Sequence, residues 1–337
     1  MAMQLRWGRR LASPVPAPRG DLRRVCPRLS QDGSDDDGKD RISSLPKDMR
    51  LEVLTRLQCT REAMRTSVLS EPWRRLWTEL RELTFDDVAN LDSLLNALAQ
   101  VQPKLNRLWI RILRNMVLGG ASISSLLHAA DKLEPLELVV ILCREHRSAA
   151  FVLPCFARAT SIELRISGLR FKLPPTGSFA SLERLTLSGA GFIDPGLLLP
   201  RCPRLRSLNM DGNCPLGVTV LAVESSSLDE LIWHLLDIKQ PVDVHVVAPN
   251  LKNFVFSSFS RKFTMSLSAP KLEKLYLECF LEDSIVGFVK NVRWRLNELK
   301  LKLEWSGRDG PHHILSLYID NVLVCSDPFA AELPSLQ

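Results

Sequence analysis

The sequence lacks the signatures of common enzyme classes and of membrane-spanning proteins. No apolar run approaches the roughly 20 residues of a membrane helix, and the first segment lacks the apolar stretch of a secretory signal. Its 8 cysteines form no C-x-x-C pair, and its 6 histidines lack metal-ligand spacing. P-loop, dinucleotide-binding and G-x-S-x-G motifs are missing as well. We therefore expect a non-enzymatic protein with reduced thiols and without a cofactor, a metal site or a membrane segment.

Positive charge is confined to the start of the chain. The formal net charge is +6, and residues 1–28 carry seven Arg and one Asp, so the remainder sums to about zero. This balance argues against nucleic-acid binding by the folded part. Residues 1–39 are rich in Arg and Pro and then acidic, which predicts a disordered tail. An organelle transit peptide and a nuclear address are the alternatives for residues 1–28, and we expect the nucleus, the cytoplasm or both.

The composition changes at residue 40, where a segment with helical periodicity begins. Leu51, Leu54 and Leu57 recur at helical spacing, and Thr60 suits the N-cap of a second helix. Pro72 suits the first turn of a third helix that carries Trp73, Leu76 and Trp77. A unit of about 45 residues buries too little surface to be very stable alone. Its apolar surface is therefore covered either by the next domain or by a partner protein.

Residues 40–86 resemble the F-box of large plant protein families. The shared elements are D-R-I-S at 40–43, Leu45-Pro46, the L-x-x-L-x-x-L pattern, R-T-S-V-L-S at 65–70 and W-R-R-L-W at 73–77. The resemblance implies that the segment docks onto a Skp-type adaptor, which links it to the cullin and RING subunits of a ubiquitin ligase. The adaptor-facing residues it implies are Leu45, Pro46, Leu54, Leu57, Val68 and Trp73.

The segment departs from the F-box pattern at three places. Gln58 stands where the family usually has Pro, and Met49-Arg50 where two aliphatic residues are common. Glu71-Pro72 replaces the usual basic pair before Trp73 and reverses a local charge. The last departure leaves an alternative open, in which adaptor docking is weakened.

The remainder of the chain repeats an L-x-x-L-x-L pattern, with any apolar residue allowed at each position. A repeat of 20–29 residues is typical of leucine-rich repeats, and such a repeat also explains the 59 leucines of the chain. The nine starts are Leu105, Leu133, Ala159, Leu182, Leu205, Leu228, Leu251, Leu272 and Leu296. The Asn that usually follows the last strand leucine occurs once, as Asn213, so we expect irregular turns.

The expected fold is an α+β chain whose main part is an α/β solenoid. A three-helix F-box at 40–86 and a linker helix at 87–104 precede leucine-rich repeats at 105–305 with a parallel concave sheet. Residues 306–337 are expected to form a C-terminal cap or a truncated tail.

Residues between the inward leucines should face the concave surface, because strand side chains alternate. This surface is mixed in charge and varies between repeats, as a protein-recognition surface would. The candidate target-binding residues are Trp109, Arg165, Arg184, Asp211, Ile232 and Tyr276.

The favoured function is substrate recognition in an SCF-type (Skp–cullin–F-box) ubiquitin ligase, with the leucine-rich repeats binding an unidentified target protein. The main alternative is a leucine-rich interaction scaffold with a weakened F-box and no ligase role. A nucleic-acid binder that uses the Arg-rich start is disfavoured by the charge balance. A small ligand in the concave face is a further alternative, because some solenoid F-box proteins that resemble this chain hold one.

Overall fold

A computed structural model describes the chain from residue 42 onward. The described residues are 42–113, 116, 118–142, 150–166, 170–189, 194–213, 217–236, 242–258, 263–281, 295–296, 299–305, 313–320 and 322–323. The predicted tail at 1–39 lies outside them, as do most of residues 306–337. Residues 42–337 group as one compact unit.

Two short helices and three 3-10 turns build residues 42–80, which we call the N-terminal module. The helices are α1 (Lys47–Arg56) and α2 (Thr60–Arg65), and the 3-10 turns are Thr66–Val68, Glu71–Trp73 and Leu76–Glu79. The sequence predicted a third helix that begins near Pro72. The structure has two separate 3-10 turns there instead, at Glu71–Trp73 and Leu76–Glu79.

The structure corrects the predicted N-cap of α2 and explains why Gln58 replaces the usual proline. Cys59, not Thr60, is the N-cap of α2, and the buried Thr60 hydroxyl bonds elsewhere. Gln58 ends α1 with a φ of 52°, in the left-handed region. Proline is locked near −65°. The usual family Pro therefore could not adopt the conformation found here.

Eleven strands form the main sheet, in the order β1-β2-β3-β5-β7-β8-β10-β12-β14-β17-β16. The nine strands from β1 to β14 in this order pair in parallel. Their bounds are β1 Glu82–Val88, β2 Arg107–Ile112, β3 Glu137–Leu142, β5 Ser161–Ile166, β7 Arg184–Ser188, β8 Ser207–Asn213, β10 Glu230–Leu236, β12 Asn253–Ser258 and β14 Lys274–Leu281. The parallel concave sheet expected from the repeats is thus present.

The side of the solenoid opposite the concave surface changes from helices to strands along the array. The first part carries α3 (Leu91–Leu98), α4 (Gly120–Asp131) and α5 (Pro195–Leu198). Short strands form two small parallel sheets. Their members are β4 (Ala150–Val152) with β6 (Arg170–Lys172), and β9 (Val220–Glu224), β11 (Val242–Val247) and β13 (Phe263–Ser268). The expected linker helix at 87–104 corresponds to α3.

The core lies between these two layers. Each of the eight repeats from β1 to β12 contributes a buried residue just before its strand and two or more from the strand itself, such as Leu228, Leu231 and Trp233. Burying one such large side chain contributes about 1.5–3 kcal/mol, so stacked repeats stabilise one another. Trp233 packs edge-to-face on Phe256 of the next repeat, with ring centroids 5.9 Å apart.

Two repeats differ from the expected frame at the start of the array. Leu80, Leu83 and Phe85 are buried and fit the pattern, so β1 is a repeat strand inside the range assigned to the F-box. The second predicted start, Leu133, is two residues early. Leu138 pairs with Leu108, which puts the buried Pro135 in the first position of that repeat.

The ninth predicted repeat does not extend the parallel array. β16 (Leu299–Trp305) pairs with β17 (His313–Asp320), which itself lies antiparallel to β14. The expected last strand after residue 306 is β17, and it lies between β14 and β16 rather than beyond them. β15 (Arg295–Leu296) and β18 (Val322–Leu323) form a separate pair.

Backbone hydrogen bonds join neighbouring repeats just before their strands. The N–H groups of Arg206, Asp229, Lys252 and Glu273 each donate to the carbonyl of the equivalent residue one repeat earlier, at 2.8 Å. The first of these carbonyls belongs to Glu183. The side chains along this ladder alternate in sign, so each charge has opposite neighbours.

Candidate protein-interaction surfaces

The N-terminal module has a small core built around Trp73. This side chain is 1% exposed, and its indole N–H donates to the Ser43 hydroxyl at 3.2 Å. Ser43 also bonds to Ser70 at 2.6 Å, so the indole ties the segment before α1 to the turns after α2. Leu54 is 1% exposed in the same core. The structure therefore corrects two predicted adaptor contacts, because buried Leu54 and Trp73 support the module and do not form its surface.

The other predicted adaptor contacts lie at or near the surface of the module. Leu45 is half-buried, Pro46 is exposed, and Leu57 and Val68 are exposed. In the described part of the chain ten large apolar side chains are exposed, and six of them belong to this module. These six are Ile42, Met49, Val53, Leu57, Val68 and Leu69. We call them the apolar surface of the module.

Four members of the apolar surface escaped the sequence prediction. Met49 and Val53 precede Leu57 at intervals of four residues, which places all three on one face of α1. That spacing was visible in the sequence, but it overlaps the pattern of Leu51, Leu54 and Leu57, of which only Leu54 is buried. Ile42 and Leu69 carry no comparable periodic signal.

Hydrogen bonds fix the module to the start of the sheet. The Thr60 hydroxyl accepts the backbone N–H of Thr84 at 2.8 Å. The Arg61 guanidinium donates to the carbonyls of Asp86 and Asp87, at 3.1 and 3.0 Å. Both bonds reach β1, which pairs in turn with β2. The module therefore cannot rotate relative to the sheet without breaking them.

A cleft of about 690 Å³ lies where α1 faces the first two strands. Leu51, Thr55 and Gln58 line the helix side, and Thr84 and Trp109 are on the sheet side. Both polar and apolar residues line it, so the lining does not select one ligand class.

The concave face is a grid of side chains in register. One residue of each parallel strand forms a middle row, which consists of Thr84, Trp109, Val139, Glu163, Thr186, Asn209, Ile232, Val255 and Tyr276. A first row lies two residues earlier in each strand, and a third row lies two residues later.

All six predicted target-binding residues lie on this grid. Trp109, Ile232 and Tyr276 belong to the middle row, Arg184 to the first row, and Arg165 and Asp211 to the third. Their role in binding stays a prediction.

Several charged side chains on the first five strands pair with one another. Glu137 lies between two arginines, with oxygen–nitrogen distances of 3.9 Å to Arg107 and 3.6 Å to Arg184. Arg165 pairs with Glu163 of its own strand.

Trp109 is held within a cluster of charged groups. Arg111 lies over its ring, 5.7 Å from the centroid, and also pairs with Asp86 and Asp87. The hydrogen bond to Asp86 raises the pKa of the Arg111 guanidinium, which keeps it charged. This end of the concave face is therefore preorganised and already paired.

Within the described ranges the chain offers no metal site and no helix that could cross a membrane. No group of three or more His, Cys, Asp or Glu is placed to hold a metal among these residues. None of their helices is long and apolar enough to span a bilayer. Cys59, Cys155 and Cys202 are free thiols, and burial raises the pKa of Cys202 to about 12.

Comparison with known proteins agrees with the repeat architecture. Residues 124–283, from within α4 to the end of β14, match the family model for the LRR repeats of FBD-associated F-box protein At5g56370. No solved structure matches the chain.

Curated relatives from Arabidopsis thaliana match the chain over different shares of its length. The F-box/LRR-repeat protein At5g02910 is 30% identical over 53% of this chain and 40% of its own length. The FBD-associated F-box protein At3g52670 is 25% identical over 84% of this chain and 71% of its own. The F-box/FBD/LRR-repeat protein At2g04230 is 47% identical over 17% of this chain and 12% of its own.

The chain spans only 40% and 48% of the length of the first two curated relatives that it matches. The parallel sheet, the family model and these relatives all agree with the leucine-rich repeats found in the sequence. Together these findings support a plant-type F-box/leucine-rich-repeat protein.

Proposed function

We propose that the chain is a substrate-recognition subunit of an SCF-type ubiquitin ligase. The N-terminal module acts as the F-box and docks onto a Skp-type adaptor, which connects it to cullin and RING subunits. The concave face binds a target protein. No residue of the chain performs chemistry, because its contribution is to hold a target near the ubiquitin carrier at high local concentration.

The apolar surface of the module is the observation that carries this proposal. Val68 is 87% exposed, and Leu69 is 63% exposed beside it. Six of the ten exposed large apolar side chains of the described residues fall within residues 42–69, and an excess of exposed apolar surface is typical of a protein-interaction site. Burial against an adaptor would gain about 25 cal/mol for each Å² of apolar area removed from water.

The fixed junction supports a positional role. Thr60 and Arg61 of α2 bond directly to β1, so a target on the sheet would keep a constant orientation relative to a docked adaptor. Holding two reacting groups in one geometry accelerates their reaction without any chemical contribution from the holder.

Co-expression of the chain with a plant Skp-type adaptor tests the proposal. We expect a stable complex, and we expect Leu69→Asp to abolish it, because a carboxylate in the docked surface would lose its hydration. The matched control is Leu197→Asp, since Leu197 is 65% exposed and lies on α5, far along the chain. A folded wild-type chain that binds no adaptor would overturn the ligase role.

Glu71 favours a second candidate, an interaction scaffold with a weakened F-box. Glu71 and Pro72 are exposed in a 3-10 turn next to Val68 and Leu69, so a reversed charge there would meet the adaptor. Replacing Glu71 by Arg restores the usual sign. If only Glu71→Arg binds the adaptor, the scaffold is the better description of the natural chain.

A further inference from the structure

Arg50 is a charged residue at the border between the core and the surface of the N-terminal module. It lies on α1, four residues before the buried Leu54 and seven residues before the exposed Leu57, so it shares one side of the helix with both. The residue is half-buried, and the Nε and Nη1 atoms of its guanidinium are covered without a hydrogen-bond partner among the described residues. The F-box pattern commonly has an aliphatic residue here, so this cation is a departure of the present chain.

Buried polar side-chain atoms without a partner occur only in this module, within the part of the chain that the structure describes. Besides Arg50, the Ser67 hydroxyl is buried and unpaired, and Ser67 directly precedes Val68 of the apolar surface. Native structures leave few such atoms unpaired, and each calls for an explanation. Here both residues adjoin the apolar surface of the module, where a docked partner could supply the missing acceptors.

The acidic residues of the module do not neutralise Arg50. Residues 42–80 contain seven Lys and Arg against five Asp and Glu, which gives a net charge of +2. Asp48 and Glu71 are exposed, and neither pairs with Arg50. The other three acidic residues pair with other cations, in the pairs Glu52–Arg56 at 3.0 Å, Glu62–Arg65 at 2.8 Å and Glu79–Lys47 at 2.8 Å. The excess positive charge favours a partner that brings an acidic group.

An unpaired guanidinium beside a docking surface favours one kind of contact. Covering a cation without an anion is unfavourable, because the cation loses its hydration. A carboxylate can accept two parallel N–H···O bonds from a guanidinium, which are among the stronger hydrogen bonds in proteins. A partner that offered only apolar side chains would cover Arg50 further without this compensation.

We propose that Arg50 is a partner-binding residue, which pairs with an Asp or Glu side chain of the Skp-type adaptor when the apolar surface docks. The Arg50 side chain turns toward Leu57 and donates its guanidinium N–H groups to the carboxylate. This inference rests on the proposed function and names a polar contact within its docking surface.

Arg50→Met in the full chain tests the proposal, because methionine keeps an unbranched apolar stem and removes the charge. We expect the adaptor affinity to fall by about tenfold or more, since the carboxylate of the adaptor is left covered and unpaired. Without the adaptor, the thermal midpoint of the variant should be unchanged or higher, because no covered nitrogen stays unpaired. A purely structural role for Arg50 would lower the midpoint instead.

The matched control is Arg184→Met. It removes the same charge from the concave face, where Arg184 lies 3.6 Å from Glu137, and should leave the adaptor affinity within about twofold. A similar loss of affinity in both variants would mean that net charge, and not a contact of Arg50, governs adaptor binding.

A double-mutant cycle identifies the partner group. Each exposed Asp and Glu of the adaptor is replaced in turn by Asn or Gln, and its binding to the wild-type chain and to Arg50→Met is measured. We expect one adaptor substitution to weaken binding to the wild type by about tenfold and binding to Arg50→Met by less than about twofold. If every adaptor substitution acts equally on both chains, the proposed pair is overturned.

The outcomes also separate this inference from the ligase role. If Arg50→Met binds the adaptor as tightly as the wild type, the pair is overturned and the ligase role stands. If a folded wild-type chain binds no adaptor, both fall. Asp35, Asp36 and Asp37 are the alternative source of an anion. If their replacement by Asn lowers the thermal midpoint of the wild type but not of Arg50→Met, the chain neutralises Arg50 itself, and the inference is overturned.

Discussion

The hydroxyl of Thr60 accepts a hydrogen bond from the backbone N–H of Thr84 at 2.8 Å. Thr60 is 3% exposed and opens α2, whereas Thr84 lies in the first strand of the sheet. One short side chain therefore joins the N-terminal module to the solenoid, and the two parts share a single core that contains Trp77 and Leu83.

Replacing Thr60 by Val should destabilise the whole chain. Val keeps the shape but cannot accept the Thr84 N–H, and a buried donor left unpaired costs about 1–3 kcal/mol. Equilibrium unfolding in urea measures the effect. Thr55→Val is the control, because the exposed Thr55 hydroxyl bonds only within its own helix, to Leu51. Equal stability of both variants would contradict this description of the junction.

Leu54 and Leu57 should respond differently to truncation, although both belong to the same leucine pattern. Leu54→Ala removes a side chain that is 1% exposed, so the free energy of unfolding should fall by about 2–5 kcal/mol. Leu57 is 40% exposed, and Leu57→Ala should cost less than about 1 kcal/mol while weakening adaptor binding. Thermal unfolding and adaptor co-purification separate the two effects. A larger loss of stability for Leu57→Ala would refute the reassignment of Leu54 to the core.

The alternating charges before the strands should help to keep the repeats in register. Asp229 stands between Arg206 and Lys252, with an oxygen–nitrogen distance of 3.9 Å to Arg206. Asp229→Lys would place three like charges in succession and should destabilise the chain by about 0.5–1 kcal/mol at low salt. The deficit should shrink in about 1 M salt, where charges are screened within about 3 Å. Asp229→Asn, the control, should show a smaller deficit, and a salt-independent deficit would contradict the electrostatic explanation.

Cys202 should make the chain less stable in alkali. Burial raises its pKa to about 12, whereas a thiol in the unfolded chain titrates near 8.5. Below about pH 8.5 the thiol is protonated in both states and has no effect. Above that pH the unfolded chain loses the proton first. The free energy of unfolding therefore falls by about 1.4 kcal/mol per pH unit until about pH 12.

Urea unfolding of the wild type and of Cys202→Ala between pH 8 and 11 measures this contribution. The variant should lose less stability than the wild type over this range, because it lacks the titrating group. Parallel curves would mean that the Cys202 thiol does not carry the effect.

Much of the solenoid could be predicted because two independent sequence patterns, one between repeats and one within each strand, indicate the same fold. The spacing of the leucines sets the repeat length, and the alternation within each strand sets which residues face outward. Trp109, Ile232 and Tyr276 were therefore assigned to the same face of the sheet, and the strand register places them in one row. The direction of a strand carries no such signal, so the antiparallel β17 between β14 and β16 was missed.

The errors at the start of the array have local causes. The buried Pro135 fills a position where leucine was expected, while Leu133 ends the turn after α4 and accepts the N–H groups of Lys104 and Leu105. The repeat pattern also fits Leu80, Leu83 and Phe85. These residues were not assigned to a repeat because the sequence analysis had placed them in the F-box at 40–86. Leucine periodicity alone also cannot show that Leu54 is buried while Leu57 is exposed. Both leucines fit the same helical spacing, although they end up in different environments at α1.

Hydrogen–deuterium exchange of the chain, with and without a plant Skp-type adaptor, tests the central claim most directly. The ligase account predicts slower exchange in residues 42–69 on adding the adaptor, where the apolar surface of the module lies, and unchanged exchange in strands β10 to β14. Protection confined to those strands, or no protection anywhere in a folded chain, would contradict it.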